Sequence, residues 1–165
     1  MKWPPANING DVFSLEHLHP FTLKVTPKST ESRTFSVRVV FSNSHCFTRN
    51  LVAEDPDHLR FQHGRETRAF CFDRYAHSFK LRGMIEYASR GKVYFSSGES
   101  GRDRRYLILD PGEGRDPYLI VFDMRKSSSE HSDVMMAIVS AHPRPGYRKP
   151  RERITFATLV SQVAN

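Results

Sequence analysis

Tyr118-Leu-Ile-Val-Phe-Asp-Met-Arg-Lys126 and Asp133-Val-Met-Met-Ala-Ile-Val-Ser-Ala-His142 are the stretches on which the fold turns. Both are apolar runs of strand length, and the Ser127-Ser-Ser-Glu-His131 link between them is too short for a parallel crossover, which takes about a dozen residues or more. They read as antiparallel neighbours. Upstream, Lys92–Ser96 and Tyr106–Asp110 extend the pattern, with Gly98-Glu-Ser-Gly101 and Pro111-Gly-Glu-Gly114 as turns, so four strands follow one another as a meander.

Further upstream, Phe21, Leu23 and Val25 alternate with Thr22 and Lys24, while Phe35, Val37, Val39 and Phe41 alternate with Ser36 and Arg38. That is the period of half-buried strands, and Pro27-Lys-Ser-Thr-Glu-Ser32 is short enough to close them as a hairpin. Between hairpin and meander, the spacing predicts a helix over about 74–89. Leu81, Met84, Ile85 and Ala88 share one face, Tyr75 and Phe79 lie opposite, Asp73 stands at the N-cap and Gly91 at a left-handed C-cap. Residues 50–70 show no sustained period and read mostly as loop. Phe156, Leu159, Val160 and Val163 recur at helical spacing, although Thr155 and Thr158 also suit a strand. The expected fold is α+β: an antiparallel sheet of five to six strands, one main helix packed on it and a C-terminal helix. Residues 1–16, with Pro4, Pro5 and Gly10, read as a loosely ordered segment ahead of a single domain over 17–165.

Composition narrows the function. The 165 residues carry 25 Lys plus Arg against 18 Asp plus Glu, a formal charge of +7, which favours a polyanionic partner. Twelve Phe, six Tyr and one Trp supply an aromatic core and argue against disorder. The two cysteines, Cys46 and Cys71, make no disulfide framework, and no apolar leader follows Met1, so a reducing cytoplasm is expected. The longest apolar run, Val134–Val139, falls far short of the roughly 20 residues that span a bilayer, so no membrane association is expected. Phosphate-loop, dinucleotide, nucleophile-elbow and H-E-x-x-H signatures are missing.

A zinc site would draw on His45, Cys46 and Cys71 with His58 or His63, but neither cysteine belongs to a C-x-x-C pair, and two buried thiols are the simpler reading; no metal or cofactor is expected. Imidazoles and guanidiniums at strand ends form a more coherent set. If alternation persists past Phe41, His45 follows the core-facing register, and His142 does so after Val134, Met136, Ile138 and Ser140. Two rim imidazoles suffice to exchange the protons when a ribose 2′-hydroxyl attacks its neighbouring phosphate. Arg74, Arg104, Arg105, Arg125 and Arg144 offer forks for phosphate oxygens, and Tyr75, Tyr106 and Tyr147 could stack exposed bases or donate a proton, Tyr75 being placed with the catalytic set. Each residue also has a plainer role: Arg104 and Arg105 as a solvated turn, Arg125 as edge protection, His17 and His19 as local packing, the histidines as strand-end structure.

The order helix, four-stranded meander and terminal Val139-Ser-Ala-His-Pro-Arg144 resembles the barnase and RelE-like ribonuclease toxins, some of which end their last strand on a similar Ser-Ala-aromatic-Pro phrase before a basic tail. The likeness covers about residues 72–144. It implies a metal-independent ribonuclease of toxin or defence type, with His142 and Arg144 in the site; no glutamate of the family matches. RNA is then the expected partner ahead of DNA, with an antitoxin or other protein partner besides. Two other classes stay open: a non-catalytic nucleic-acid-binding domain, and a basic phage or mobile-element protein that inhibits a host complex.

Overall fold

A computed structural model describes residues 2–30, 33–97, 103–109 and 116–165. The chain opens with β1 (Ala6–Ile8) and β2 (Asp11–Phe13), a hairpin closed by Asn9 and Gly10 at φ of 54° and 87°. Two successive positive φ angles define the tight turn that Asn-Gly favours. The expectation of a loose N-terminal segment is overturned: Trp3, Ala6, Ile8 and Leu15 are buried in the main core, and the Trp3 indole donates to the Phe41 carbonyl at 3.3 Å. Prolines are tolerated in extended chain, so one large aromatic anchor decides the outcome.

β3 (Phe21–Val25) and β4 (Phe35–Phe41) form the expected antiparallel pair, with Phe21, Leu23, Val25, Phe35, Val37, Val39 and Phe41 all facing the core. The following region corrects the loop reading of 50–70. β5 (Thr48–Arg49), β6 (Arg60–His63) and β7 (Glu66–Phe70) make a three-stranded antiparallel sheet in the order β5-β7-β6. Gly64, at φ 60°, occupies the first position of the two-residue β6–β7 turn. These strands are short and mostly half-solvated, so charged residues interrupt the alternation that would announce them.

The expected helix is two helices, α1 (Phe72–Ser78) and α2 (Leu81–Ala88), separated at Phe79 and Lys80. Each answers a different neighbour: α2 buries Leu81, Ile85 and Ala88 in the core, whereas α1 lies against the end of the sheet and the turn after β4. Cys71, not Asp73, is the residue at the α1 N-cap, and Gly91 is not left-handed; its carbonyl instead accepts from the Phe156 N–H at 3.0 Å.

β8 (Lys92–Ser97), β9 (Asp103–Leu109), β10 (Tyr118–Lys126) and β11 (Val134–Pro143) form the meander as read. β12 (Arg153–Thr155) adds to β8, and α3 (Phe156–Ala164) follows, capped by the Thr155 hydroxyl accepting from the Thr158 N–H at 3.1 Å. The large sheet runs β12-β8-β9-β10-β11-β4-β3, antiparallel except where β11 lies parallel to β4. α3 buries Phe156, Leu159 and Val160 against this sheet. A smaller apolar cluster of Leu119 and Val121, with Tyr94, Val139 and Tyr147 packed on it, is separate from the main core. No helix among the described residues is long and apolar enough to cross a membrane.

One local irregularity positions the site. Val121 pairs with Ser140 and Phe122 with Ile138, so Val139 is an extra residue in β11. Such a bulge reverses the inward-outward phase beyond it. Ala141 therefore fills the core position opposite Ile120, and His142 pairs with Leu119. The simple alternation that carried His142 into the core-facing register is corrected accordingly.

Candidate active site

Four segments meet where β11 ends. The first is the 3-10 turn Ser44–Cys46. β4 stops at Phe41, so His45 is not on a continued strand as the alternation suggested. The Asn43 side chain accepts from the His45 N–H at 3.0 Å and starts the turn, which buries Ser44 and Cys46 and leaves the ring between them half-buried at the surface.

β7 supplies the second segment. Glu66 and Arg68 are two apart on the strand and share a face. Both Glu66 carboxylate oxygens lie 3.0 Å from His45 Nε2, and Arg68 Nη1 donates to one of them at 3.1 Å. The His45 hydrogen bond, with help from the Arg68 charge, holds the Glu66 carboxyl below the usual carboxylate range despite some desolvation. A carboxylate only accepts, so Nε2 carries the proton and Nδ1 is the nitrogen left to exchange one. Arg68 is buried and donates also from Nε to Thr48 Oγ1 and from Nη1 to Asn50 Oδ1, each at 2.8 Å.

Arg74, from α1, is the third component. Its Nη1 donates to the carbonyls of Thr48 at 2.7 Å and His45 at 3.3 Å, which ties the helix to the turn. Among the described residues its Nε and Nη2 have no partner, and neither is sealed from solvent. Burial lowers its pKa, yet a guanidinium keeps its charge at any ordinary pH.

His142 and Arg144 complete the group. His142 is half-buried, and its buried Nδ1 has no hydrogen-bond partner among the described residues. Burial pushes its pKa down to about 4, and the charges of Arg74, Arg144, Arg68 and His45 act in the same direction. All four charges act on His142, so both imidazoles and three guanidiniums share one neighbourhood. The backbone N–H of Arg144 donates to the Pro117 carbonyl at 2.8 Å, and its exposed guanidinium sits 5.5 Å over the Tyr147 ring. Beneath them, the buried Tyr118 hydroxyl donates to the Ala141 carbonyl at 3.4 Å, and burial raises its pKa. Against three guanidinium charges stands the carboxylate of Glu66, so this rim is positive and suited to an anion.

A protein-family model matches residues 5–164. The chain belongs to the YjaZ family. Comparison with curated proteins and with solved structures finds no match for this YjaZ-family chain.

Of the residues expected from sequence, the YjaZ-family fold brings together His45, His142, Arg74 and Arg144, with Tyr147 beside Arg144. Tyr75 is elsewhere employed: its hydroxyl donates to the Ser14 carbonyl at 3.0 Å and its ring packs among Phe13, Phe70 and Phe79. Arg125 pairs with Met135 at the far end of β10, six residues from Leu119 or roughly 20 Å along the strand. Arg104, Arg105 and Tyr106 belong to β9, and their side chains lie outside the described residues. Cys46 makes a poor zinc ligand, since complete burial pushes its thiol up to about 12, and no trio of metal-ligating side chains occurs among the described residues. Sequence reading missed Glu66, Arg68 and Thr48. The only signal was the period-two placement of Glu66 and Arg68 after Gly64, which puts a carboxylate and a guanidinium on one face.

Proposed function

We propose that the protein is a metal-independent ribonuclease of toxin or defence type, cleaving RNA at the His45–Glu66–Arg74–His142–Arg144 cluster. The observation that carries this reading is the oriented His45 beside the cation-surrounded His142. A scissile phosphate fits the free edge of Arg74 and the exposed fork of Arg144. His45 Nδ1 takes the 2′-hydroxyl proton as the O2′–P bond forms, and Glu66 stabilises the resulting imidazolium. Burial holds His142 neutral and the surrounding cations add to it; the phosphate charge offsets both, so this imidazole takes up a proton in the complex and delivers it to the departing 5′-oxygen as the P–O5′ bond breaks. The products are a 2′,3′-cyclic phosphate and a 5′-hydroxyl.

The resemblance of residues 72–144 to the barnase and RelE-like toxins supports the same reaction class, and the free Cys46 and Cys71 suit a reducing cytoplasm. The test is incubation of purified protein with end-labelled single-stranded and structured RNA in EDTA, reading the 3′ ends. A cyclic phosphate terminus is expected. RNA that is bound yet stays intact over a wide pH range overturns catalysis and leaves a nucleic-acid-binding surface; no interaction with RNA at all leaves the host-protein inhibitor class.

A further inference from the structure

β3 is the outermost strand of the seven-stranded sheet on the side away from β12. It pairs with β4 along one edge, and among the described residues no backbone hydrogen bond reaches its other edge. That open edge borders a groove of about 790 Å³ between residues 22–29, the end of α2 and the start of α3. The groove carries Lys24, Lys28 and Arg90, none of which has a carboxylate partner among the described residues; its one acid, Glu86, is already bonded to Arg82 at 3.0 Å.

We propose that this groove binds an extended acidic segment of a partner protein, which adds to β3 as an eighth strand. An edge with unmet donors and acceptors is a template for exactly one kind of ligand backbone, an extended peptide, and the five residues Phe21–Val25 offer a ladder of about 17 Å. Charge selects among peptides. An added strand alternates its side chains between the two faces of the sheet. Lys24 stands exposed opposite the core-facing Leu23 and Val25, its ammonium donating to the Ser36 hydroxyl on β4 and keeping its charge without a carboxylate, and Arg90 lines the groove just past the end of α2. Acidic side chains on such a strand therefore meet cations and a basic strand is repelled. The same charges disfavour edge-to-edge pairing with a second copy of this +7 chain, which would set Lys24 and Lys28 against their own kind. The groove shares no residue with the His142 cluster, so it can be occupied whether or not the protein cleaves RNA.

The probe is a fluorescein-labelled heptapeptide of alternating Val and Glu, capped at both ends, titrated with the full chain and followed by anisotropy and by amide exchange. Saturable binding is expected, with slowed exchange at Thr22–Val25. A peptide N-methylated at alternate valines should not bind, because it cannot donate to the ladder. The double variant Lys24→Glu, Arg90→Glu should bind about tenfold more weakly. Equal binding of the N-methylated peptide, equal binding of a Val-Lys peptide, lack of saturation at millimolar peptide, displacement by a single-stranded RNA decamer, or dimerisation of the chain through β3 each overturns the proposal. Should the double variant fail to fold, the N-methylated peptide against the unaltered protein decides alone.

Discussion

His17 and His142 are both held near pKa 4, and both bury an Nδ1 that has no hydrogen-bond partner among the described residues. Their surroundings are nevertheless opposite in kind. His17 stacks on Phe79 at 3.8 Å with Tyr75 at its edge. Its Nε2 lies 2.6 Å from the Ser78 hydroxyl, which itself donates to the Tyr75 carbonyl, so Ser78 accepts and the ring is locked as a neutral donor. Burial lowers its pKa first, and only His19 adds a charge. Around His142 the added causes are three arginines and His45. Desolvation by rings is permanent, whereas a field of cations is cancelled by any anion that enters it. Burial leads at both histidines, and only at His142 does a field of cations, which an anion can cancel, add to it.

The largest effect expected from this contrast is on cleavage. His142→Ala should lower RNA cleavage by about 10²–10⁴-fold with thermal unfolding unchanged, as befits a proton-transfer group, while His17→Asn leaves the rate alone. Equal losses in single-turnover assays would erase the distinction. Arg74→Ala should cost about 10²–10³-fold, because it removes an oriented donor for the developing phosphorane charge. Tyr75→Phe, one residue along, should leave the rate intact and cost about 1 kcal/mol of stability through the hydrogen bond to Ser14, measured by urea unfolding.

Smaller and more direct is the response to inorganic phosphate. Imidazole resonances followed by NMR should show His142 rising by about one unit or more as phosphate binds, with His17 unmoved; parallel behaviour of the two would refute a reversible field. The smallest effect is on stability in acid, and here the histidines should agree. Each folded-state pKa of about 4 lies below the ordinary value of 6.5, so the unfolded chain binds more protons between those limits. Their contribution is fully present above pH 6.5 and is lost as pH falls towards 4. After screening by the solvent that reaches each ring, it amounts to about 1 kcal/mol apiece, and His142→Gln should flatten that part of the stability curve.

What could be read from sequence followed the strength of its periodic signal. Phe21–Val25 and Phe35–Phe41 are strands with one face in the core, and burial writes their alternation, whereas Tyr118–Phe122 is buried on both faces and shows as an unbroken apolar run. α3 declared itself through Phe156, Leu159, Val160 and Val163 for the same reason. The three-stranded sheet did not, since its strands are short and charged residues, the buried Arg68 among them, interrupt the pattern. In the site, His45, Arg74, His142 and Arg144 were legible by residue type, but the reasons offered for the histidines were not those that operate. His45 projects from a turn whose start Asn43 fixes, and His142 from beyond a bulge. The partnership of Glu66 with His45 joins two segments 21 residues apart through a sheet that periodicity could not detect.

The extra Val139 makes the geometry of this rim a matter of residue count rather than residue identity. Deleting one residue beyond the bulge, such as Ala141, would slide His142 into the core position opposite Ile120 and turn the imidazole from a surface instrument into an entombed polar group, whereas deleting Val139 itself only straightens the strand and leaves His142 facing outward. Insertions and deletions within the final strand are thus a more severe threat to this molecule than most substitutions. Point-mutant libraries, which hold length fixed, would never reveal it.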